Sequence, residues 1–345
     1  MIERINYRKP ESIKFNSFTI KSFQPDTQNF TAKNKVLRYH YTSANALMSI
    51  LKNQNQSATV RFTDVRYLND KSEMLYFVKC LLMFLRDNRK EYPYCQEIVN
   101  EWLLKEHSED EYISMSVSKI APPPFKGAYY AAPIRTFVFC TCKASDSLHM
   151  WNYYVHNGDY QGYNIGFDIY KFLKSFDIKS SEPVDPISFV YGDVLYSKKE
   201  QEKELITLCN KVEKNKKSQD QEFAFDNAMY ELYSYIYSYG VFFKDKAFKE
   251  EEEYRVVIEL LESRVNRDRK NYSNRNSKNI KLDFYERNGI LVPCLSVPFE
   301  IDAINKITMA PMMEYEIARE SIEEFLRING YEDVDVKKSE VPIRF

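Results

Sequence analysis

Glycine is rare in this chain, and its placement excludes the commonest nucleotide-binding folds. Only 8 of the 345 residues are glycine, against a usual share of ~7%. No two of them stand in a Gly-x-Gly pair, which dinucleotide-binding βαβ units and P-loops need because their backbone approaches phosphate groups closely. The spacing of Gly158, Gly162 and Gly166 predicts turns and strand bulges instead.

Composition and charge predict a globular protein in the cytoplasm. Hydrophobic residues make up 44% of the chain and aromatic residues 15%, which is enough to build a large core. The formal net charge of −1 argues neither for nor against a nucleic-acid partner, so electrostatic arguments must be local. The apolar stretches are too short to span a bilayer. We therefore expect no membrane association. The six cysteines include no Cys-x-x-Cys pair, so we expect reduced thiols.

Alternating helical and strand patterns predict a mixed α+β fold with mainly antiparallel sheets. Strand patterns cover Leu37–Tyr41, Ile134–Cys142 and Tyr163–Asp168, and helical patterns lie between them. The irregular connections exclude a regular doubly wound sheet. Further strands are predicted at Val60–Asp64, Ile187–Tyr191, Tyr254–Leu261, Ile290–Val297 and Asp333–Lys337, and helices near Met74–Leu85, Ile98–Leu103, Asp146–Val155, Lys198–Lys217, Gln221–Tyr239 and Tyr315–Asn329.

The domain organisation is simple. Residues 1–36 show little periodicity and are expected to form an N-terminal extension, whereas residues 37–345 are expected to form a single α+β domain. A proline-rich loop is predicted near 120–133, because successive prolines remove backbone donors and fix the backbone.

A histidine ends the first predicted strand, directly before a helix cap. In Tyr39-His40-Tyr41-Thr42-Ser43, the position of His40 would hold its side chain rigidly, as a binding site requires. The alternative is a histidine that serves only the core or the cap.

Glutamates lead into the predicted strand that contains Arg255. A period of two places Glu251, Glu253 and Arg255 on one face of the chain. A carboxylate with a guanidinium two residues on can polarise a sugar hydroxyl or bind a polar ligand. The alternative is the solvated face of an edge strand.

The segment 264–281 is strongly basic, with seven Lys or Arg residues against one Asp. Arg267, Arg269 and Lys270 would suit phosphate contacts, and Tyr272 could stack on a base. The alternative is a solvated connection between two strands.

Metal-binding patterns are absent from the sequence. None of the four histidines stands in an H-E-x-x-H motif, so we expect no metal. A nuclease that holds a divalent ion through Asp70, Glu73 and Asp168 stays open as an alternative function.

Several short motifs follow one another along the chain, from Tyr39–Ser43 to Ser339-x-x-Pro342-x-Arg344. Between them stand Leu68-Asn69-Asp70-x-x-Glu73, Asp146-x-x-x-Met150-Trp151-x-x-Tyr154, Gly166-Phe167-Asp168, Tyr191-Gly192 and Glu251-x-Glu253-x-Arg255. In this order they resemble the bacterial family called domain of unknown function 2971. Cys140-Thr141-Cys142 departs from that pattern, which has serines at this point. The family name itself implies no activity.

The same order of residues is similar to that of ADP-ribosyltransferases, which bind NAD in a cleft without glycine motifs. This resemblance implies an ADP-ribosyltransferase-like fold with NAD as substrate and no metal. It also implies that His40 holds the ribose and that Glu253 is the catalytic carboxylate. The remaining NAD-binding residues implied by the resemblance are Tyr41, Thr42, Thr141, Tyr153, Tyr154 and Arg255.

The acceptor of the ADP-ribose would be a macromolecule, either protein or nucleic acid, and the basic segment would hold nucleic acid. By analogy this implies phage defence or a toxin. The alternative from another class is a noncatalytic ligand-binding or sensor module of a bacterial defence system, in which Asn69, Asp70, Trp151 and Arg255 stabilise the fold or hold a small ligand.

Overall fold

The computed structural model describes residues 13–15, 18–22, 35–52, 57–68, 73–105, 107–114, 134–155, 161–175, 188–216, 221–261 and 281–343. The strands are β1 (Ile13–Phe15), β2 (Phe18–Ser22), β3 (Leu37–Thr42), β4 (Ser57–Asp64), β5 (Ile134–Cys142), β6 (Tyr163–Asp168), β7 (Ser188–Asp193), β8 (Glu253–Leu261), β9 (Lys281–Arg287), β10 (Ile290–Glu300), β11 (Ile304–Met309) and β12 (Asp335–Lys338). The helices are α1 (Ala44–Leu51), α2 (Glu73–Asp87), α3 (Pro93–Trp102), α4 (Glu109–Ser114), α5 (Leu148–Tyr154), α6 (Ile169–Lys174), α7 (Lys198–Asn215), α8 (Gln221–Tyr239) and α9 (Tyr315–Ile328).

The strands form a single sheet that forks at β5. One edge of β5 pairs along its whole length with β8, and β7, β2 and β1 follow. The other edge is shared by two strands: Val138 lies opposite Thr63 of β4, whereas Cys142 lies opposite Tyr39 of β3. From there one branch runs β3, β6, β11, β12, and the other runs β4, β10, β9. The backbone of β5 around Cys140 therefore faces the opening between two diverging branches.

The expected α+β class with a mainly antiparallel sheet is confirmed. Among the described strands, β2 with β7 and β11 with β12 are parallel, and the other pairs are antiparallel. The predicted elements are found with shifted ends, but β1, β2, β9, β11, α4 and α6 were not predicted. Because β2 pairs with β7, part of the segment expected as an extension lies at the edge of the sheet. The proline-rich stretch 120–133 lies outside the described residues.

Helices cover both faces of the sheet. On β8, Val257 packs into a core formed with α2, α3, α7 and α8. Its neighbours Val256 and Ile258 pack on the other side, into a core that includes residues of α1, α6 and α9. This alternation follows from the period of two in a strand. It places Glu253 and Arg255, which share the parity of Val257, on the face of the four-helix layer.

Two of the three spaced glycines lie at β6. Gly166 sits opposite Tyr39, next to a register shift between Ile304 and Lys306 of β11. Gly162 precedes the strand, where a Cβ atom would lie 2.7 Å from the backbone oxygen of Thr42. The close approach, rather than a turn, explains why glycine is needed there. Gly158 lies outside the described residues.

All six cysteines are free thiols, as expected. In the described part of the chain, no helix has both the length and the apolar character that crossing a bilayer requires.

Candidate functional site

The fork in the sheet opens into a cleft of about 430 Å³. This volume falls within the range of small-molecule sites. Side chains from both branches, from β5 and β8, from α5 and from the turn before β8 line it. Its charged and titratable residues include His40 of β3, Arg61 of β4, Glu253 and Arg255 of β8, and Arg287 of β9. Lys244, which precedes β8 in the chain, lines it as well.

His40 fills the opening between β3 and β5. Its Nδ1 atom lies 2.9 Å from the carbonyl oxygen of Cys140, and its ring packs on Phe139 at 5.0 Å between centroids. A carbonyl oxygen can only accept, so Nδ1 carries the proton. Burial lowers the pKa of His40, against the opposing effect of that hydrogen bond, so the ring is neutral at pH 7. Its Nε2 atom is then an acceptor, without a hydrogen-bond partner among the described residues.

Four charged side chains form a buried ionic cluster in the cleft, namely Lys244, Glu251, Glu253 and Arg255. The Nζ atom of Lys244 lies 2.5 Å from Oε2 of Glu251 and 3.3 Å from Oε2 of Glu253. Arg255 donates to the same Oε2 atom of Glu253 through Nε at 3.1 Å and Nη2 at 2.5 Å. Its Nη1 atom donates to the carbonyl oxygen of Val241. Two cations and two carboxylates therefore cancel in charge.

Glu253 is ionised, and one of its oxygens has no hydrogen-bond partner among the described residues. Burial raises the pKa of this carboxyl group, but the charges and hydrogen bonds of Arg255 and Lys244 outweigh it, so the pKa lies below its usual value. All side-chain hydrogen bonds of Glu253 within the described residues go to Oε2. Since Glu253 lines the cleft, Oε1 is left to accept a hydrogen bond from a ligand.

The turn before β8 has an unusual backbone conformation. Glu252 adopts the left-handed region, with φ 43° and ψ 44°, which costs a residue with a side chain about 1–2 kcal/mol. The turn is held because Glu252 donates its N–H to Lys249 at 3.1 Å and accepts from the backbone of Lys143 at 3.1 Å. As a result Glu251 and Glu253 both point inwards, while Glu252 is exposed.

Helix α5 carries two tyrosines into the cleft. Ser147 caps the helix, and Asp146 fixes it by accepting from Trp151 Nε1 at 2.6 Å. Tyr154 is partly buried, and burial together with the negative charge of Glu253 raises the pKa of its phenol, which stays protonated. Tyr153 is 72% exposed and stacks on a histidine, His149, at 4.6 Å. The helix therefore offers one hydrogen-bond donor and one open aromatic ring.

Five of the residues proposed from the sequence share this cleft, namely His40, Tyr153, Tyr154, Glu253 and Arg255. The charged strand face is not a solvated edge, since β8 pairs with both β5 and β7 and Arg255 is only 1% exposed.

Three other proposed residues have contacts within the fold. Tyr41 donates to the carbonyl of Ala144 at 3.0 Å and packs edge-on against Trp151. Thr141 donates its hydroxyl to the carbonyl of Tyr254 at 2.9 Å. Thr42 is buried at the end of β3. Arg267, Arg269, Lys270 and Tyr272 lie outside the described residues.

The residues named for the two alternative functions, a metal-dependent nuclease and a noncatalytic binding module, do not form a second site among the described residues. Asp168 caps α6 by accepting from the backbone of Tyr170 and Lys171, which are local contacts. Trp151 is fully buried. Asn69 and Asp70 lie outside the described residues, and the side chain of Glu73 is not described. In the described ranges, no three His, Cys, Asp or Glu side chains converge as a metal site.

Sequence reasoning missed three cations of the cleft: Arg61, Lys244 and Arg287. Lys244 lies between two short 3-10 turns, Gly240–Phe242 and Lys246–Glu251, outside any periodic element. Arg61 gave a signal only through the alternation of β4, and Arg287 lies in a strand that was not predicted.

Comparison with known proteins gives a family match and no activity. Residues 150–256 match the family model described as protein of unknown function, DUF2971. This bears out the resemblance to domain of unknown function 2971, whereas no comparison supports the similarity to ADP-ribosyltransferases. The matched segment includes Trp151, Tyr154, Glu253 and Arg255. No curated protein and no solved structure matches the chain.

Proposed function

We propose that this protein is an ADP-ribosyltransferase-like enzyme that uses NAD as substrate and modifies a macromolecule. The observation that carries the proposal is that a neutral histidine and an ionised glutamate, from strands more than two hundred residues apart, line one cleft. Each has one acceptor atom without a partner among the described residues: Nε2 of His40 and Oε1 of Glu253. Two acceptors facing one cavity suit the hydroxyl groups of a ribose.

The reaction would begin with the ribose held by these two acceptors. His40 accepts a hydrogen bond from one ribose hydroxyl and Glu253 accepts from another. The bond between ribose and nicotinamide breaks, and its electron pair leaves with nicotinamide, which becomes neutral. The positive charge that develops on the ribose is stabilised by Glu253, because an ionised group in a desolvated site acts strongly on developing charge. A nucleophile of the acceptor then forms the new bond to the ribose carbon and loses its proton.

The tyrosines of α5 would bind the leaving group. Tyr153 offers an exposed ring for stacking on nicotinamide. Tyr154, protonated and close to Glu253, can donate a hydrogen bond to the ligand. Nucleic acid is the acceptor that the basic segment 264–281 favours, and a role in phage defence or as a toxin belongs to the same proposal.

The test is NAD turnover by the purified full-length chain with protein, DNA and RNA acceptors. We expect nicotinamide release and acceptor labelling, and we expect Glu253→Gln to lower kcat about 100- to 1,000-fold, as the loss of one charge-stabilising group does. His40→Ala should also lower the rate. Glu252→Gln is the matched control, because this neighbouring glutamate is exposed, and it should retain full activity.

Chelation with EDTA should leave the rate unchanged. If the wild-type protein releases no nicotinamide with any acceptor, or if Glu253→Gln turns over like the control, the proposal is wrong. Circular dichroism and thermal melting of each variant separate a lost reaction from a lost fold.

A second function, noncatalytic binding, is favoured by the neutrality of the ionic cluster. Lys244 and Arg255 balance the charge of Glu251 and Glu253, which weakens the stabilisation that Glu253 gives a cation. A sensor module predicts that NAD or ADP-ribose binds to the wild-type protein with no nicotinamide release. In that case Glu253→Gln would change ligand affinity and stability, with no turnover in either protein.

A further inference from the structure

A second cavity of about 440 Å³ lies between α2 and α7, and its volume is in the range of small-molecule sites. It shares no lining residue with the cleft at Glu253. Two of its own residues contact the far side of that cleft. The Tyr196 hydroxyl accepts from the backbone N–H of Glu253 at 3.0 Å, and Gln201 Nε2 donates to the backbone carbonyl of Lys244 at 3.0 Å. The cavity is therefore a separate space directly beside the candidate site.

Two facing helix surfaces form the walls of this cavity, which we call the α2–α7 groove. Its residues on each helix follow spacings of three and four, which place them on one face; they include Tyr76, Lys79, Met83 and Asp87 of α2, and Gln201 and Leu205 of α7. The Tyr76 hydroxyl donates to Oε1 of Gln201 at 3.4 Å. This bond joins the two walls at one end of the groove.

The middle of the groove is apolar. Met83 is 43% exposed there, although a methionine side chain gains from burial. Phe84 is partly buried and packs on Tyr92 at 5.6 Å between ring centroids. Leu205 lies on the opposite wall. These side chains offer a surface that an aromatic or aliphatic body can cover.

Charged groups gather at the end of the groove near Cys80. Burial raises the pKa of this thiol to about 11, and the charges of Asp245 and Lys198 act on it in opposite directions, so both lie near it. The charged residues lining this end are three lysines and two acidic residues, namely Lys79, Lys198, Lys246, Glu202 and Asp245. The far end has Asp87, which is about 12 Å from Lys79 along α2 at 1.5 Å per residue. The end at Cys80 is therefore the basic end.

Two of these three lysines have no carboxylate partner. Lys198 pairs with Glu202 at 3.7 Å. Lys79 and Lys246 have no ion pair among the described residues, and Asp245 caps the following turn by accepting from a backbone N–H at 2.9 Å. Lys79 is also partly buried. A partly desolvated ammonium without a counter-charge is stabilised by a ligand that brings one.

We propose that the α2–α7 groove binds a small amphipathic carboxylate, with its carboxylate at Lys79 and its apolar body along Met83 and Phe84. The charge of Lys79 selects an anion, and the apolar middle of the groove gains from covering its exposed surface. The distance from Lys79 to Asp87 limits the apolar body to about 12 Å. This site does not depend on the reaction proposed for the cleft.

The test is calorimetric titration of the full-length chain with two probes of the same shape. 4-Phenylbutyrate has a carboxylate and an aromatic body, and in 4-phenylbutanamide a neutral amide replaces the carboxylate. We expect the carboxylate to bind about tenfold more tightly, which is the contribution of a hydrogen bond to a charged group. Lys79→Gln should remove this preference. Lys199→Gln is the matched control, because this exposed lysine of the first turn of α7 is not in the groove, and it should bind both probes like the wild type.

A second pair of variants locates the binding. Met83→Glu, at an exposed position, adds a negative charge to the apolar wall and should weaken 4-phenylbutyrate binding about tenfold or more. Arg61→Gln changes the cleft and should leave the binding unchanged. Thermal melting identifies a variant that fails to fold, and Met83→Glu then replaces Lys79→Gln.

Three results would overturn the proposal. The first is equal affinity of the wild-type protein for the two probes, and the second is a wild-type preference for the carboxylate in folded Lys79→Gln. The third is the absence of 4-phenylbutyrate binding at millimolar concentration. Loss of binding in Arg61→Gln but not in Met83→Glu would place the probe in the cleft and would also overturn it.

Discussion

Two buried carboxylates, Asp64 and Glu253, each bind two cationic side chains, but they divide their oxygens differently. Asp64 uses both: Arg66 donates Nε to Oδ1 at 2.9 Å and Nη2 to Oδ2 at 2.7 Å, and Arg135 donates Nε to Oδ2 at 2.7 Å. Glu253 receives Lys244 and Arg255 on Oε2. Asp64 is a closed structural node, whereas Glu253 keeps one oxygen on a cavity.

This difference in hydrogen bonding distinguishes a carboxylate that stabilises the fold from one that can bind a ligand. Both carboxylates are almost completely buried, so burial alone does not distinguish them. A buried polar group that serves stability has its hydrogen-bonding capacity met. A carboxylate with strong partners on one oxygen and a cavity at the other is prepared for an additional partner.

The largest effect is expected at the closed node. Asp64→Asn removes the charge that pairs with Arg66 and Arg135, and breaking a buried ion pair costs about 3–5 kcal/mol. The free energy of unfolding, measured by urea denaturation, should fall by that amount. A loss under 1 kcal/mol would show that Asp64 is not a structural centre and would remove the contrast with Glu253.

A smaller loss of stability is expected at Glu253. In Glu253→Gln, Lys244 keeps Glu251 and Arg255 keeps the carbonyl of Val241, so each cation retains an acceptor. We expect the free energy of unfolding to fall by about 1–3 kcal/mol, as for loss of a hydrogen-bonded charge. Urea denaturation in parallel with Asp64→Asn measures the difference. If Glu253→Gln were the more destabilising of the two, Glu253 would be the structural carboxylate.

The smallest effect is expected on how the stability difference between wild type and Glu253→Gln depends on pH. The pKa of Glu253 is lower in the folded chain than in the unfolded one, so its stabilisation is fully present above the unfolded value of ~4.3 and is lost as pH falls through the folded pKa. The stability gap between wild type and Glu253→Gln should be constant from pH 7 to pH 5 and should shrink below pH ~4.3. Urea midpoints at a series of pH values test this, and a gap that widens in acid would contradict the sign.

Local patterns predicted the parts of the site that depend on neighbours in sequence. The alternation around Glu253 and Arg255 predicted their shared face, and the helix cap expected directly after His40, at Thr42 or Ser43, is Ser43. The class of fold followed from interleaved periodicities. These features need only a few consecutive residues, so a sequence contains them directly.

The rest of the site depends on long-range pairing. The fork requires that β5 pair with β3 and β4 on one edge, and nothing in the sequence of β5 specifies two partners. Lys244 comes from a segment without periodicity, and Arg287 from β9, where four of the seven residues are charged, so that the segment resembles a loop. Tyr41 and Thr141 are sequence neighbours of His40 and Cys140, which line the cleft. Their own side chains instead form hydrogen bonds within the fold. Sequence position next to a site therefore does not predict which side chains line the cleft.

The fork at β5 also has a consequence for the order in which the chain folds during synthesis. The bond between His40 and Cys140 joins residues 100 positions apart, and the partners of β5 on its other edge begin only at Glu253. Such distant contacts make folding slow. Until β8 leaves the ribosome, one edge of β5 stays unpaired, and an unpaired strand edge is prone to aggregation.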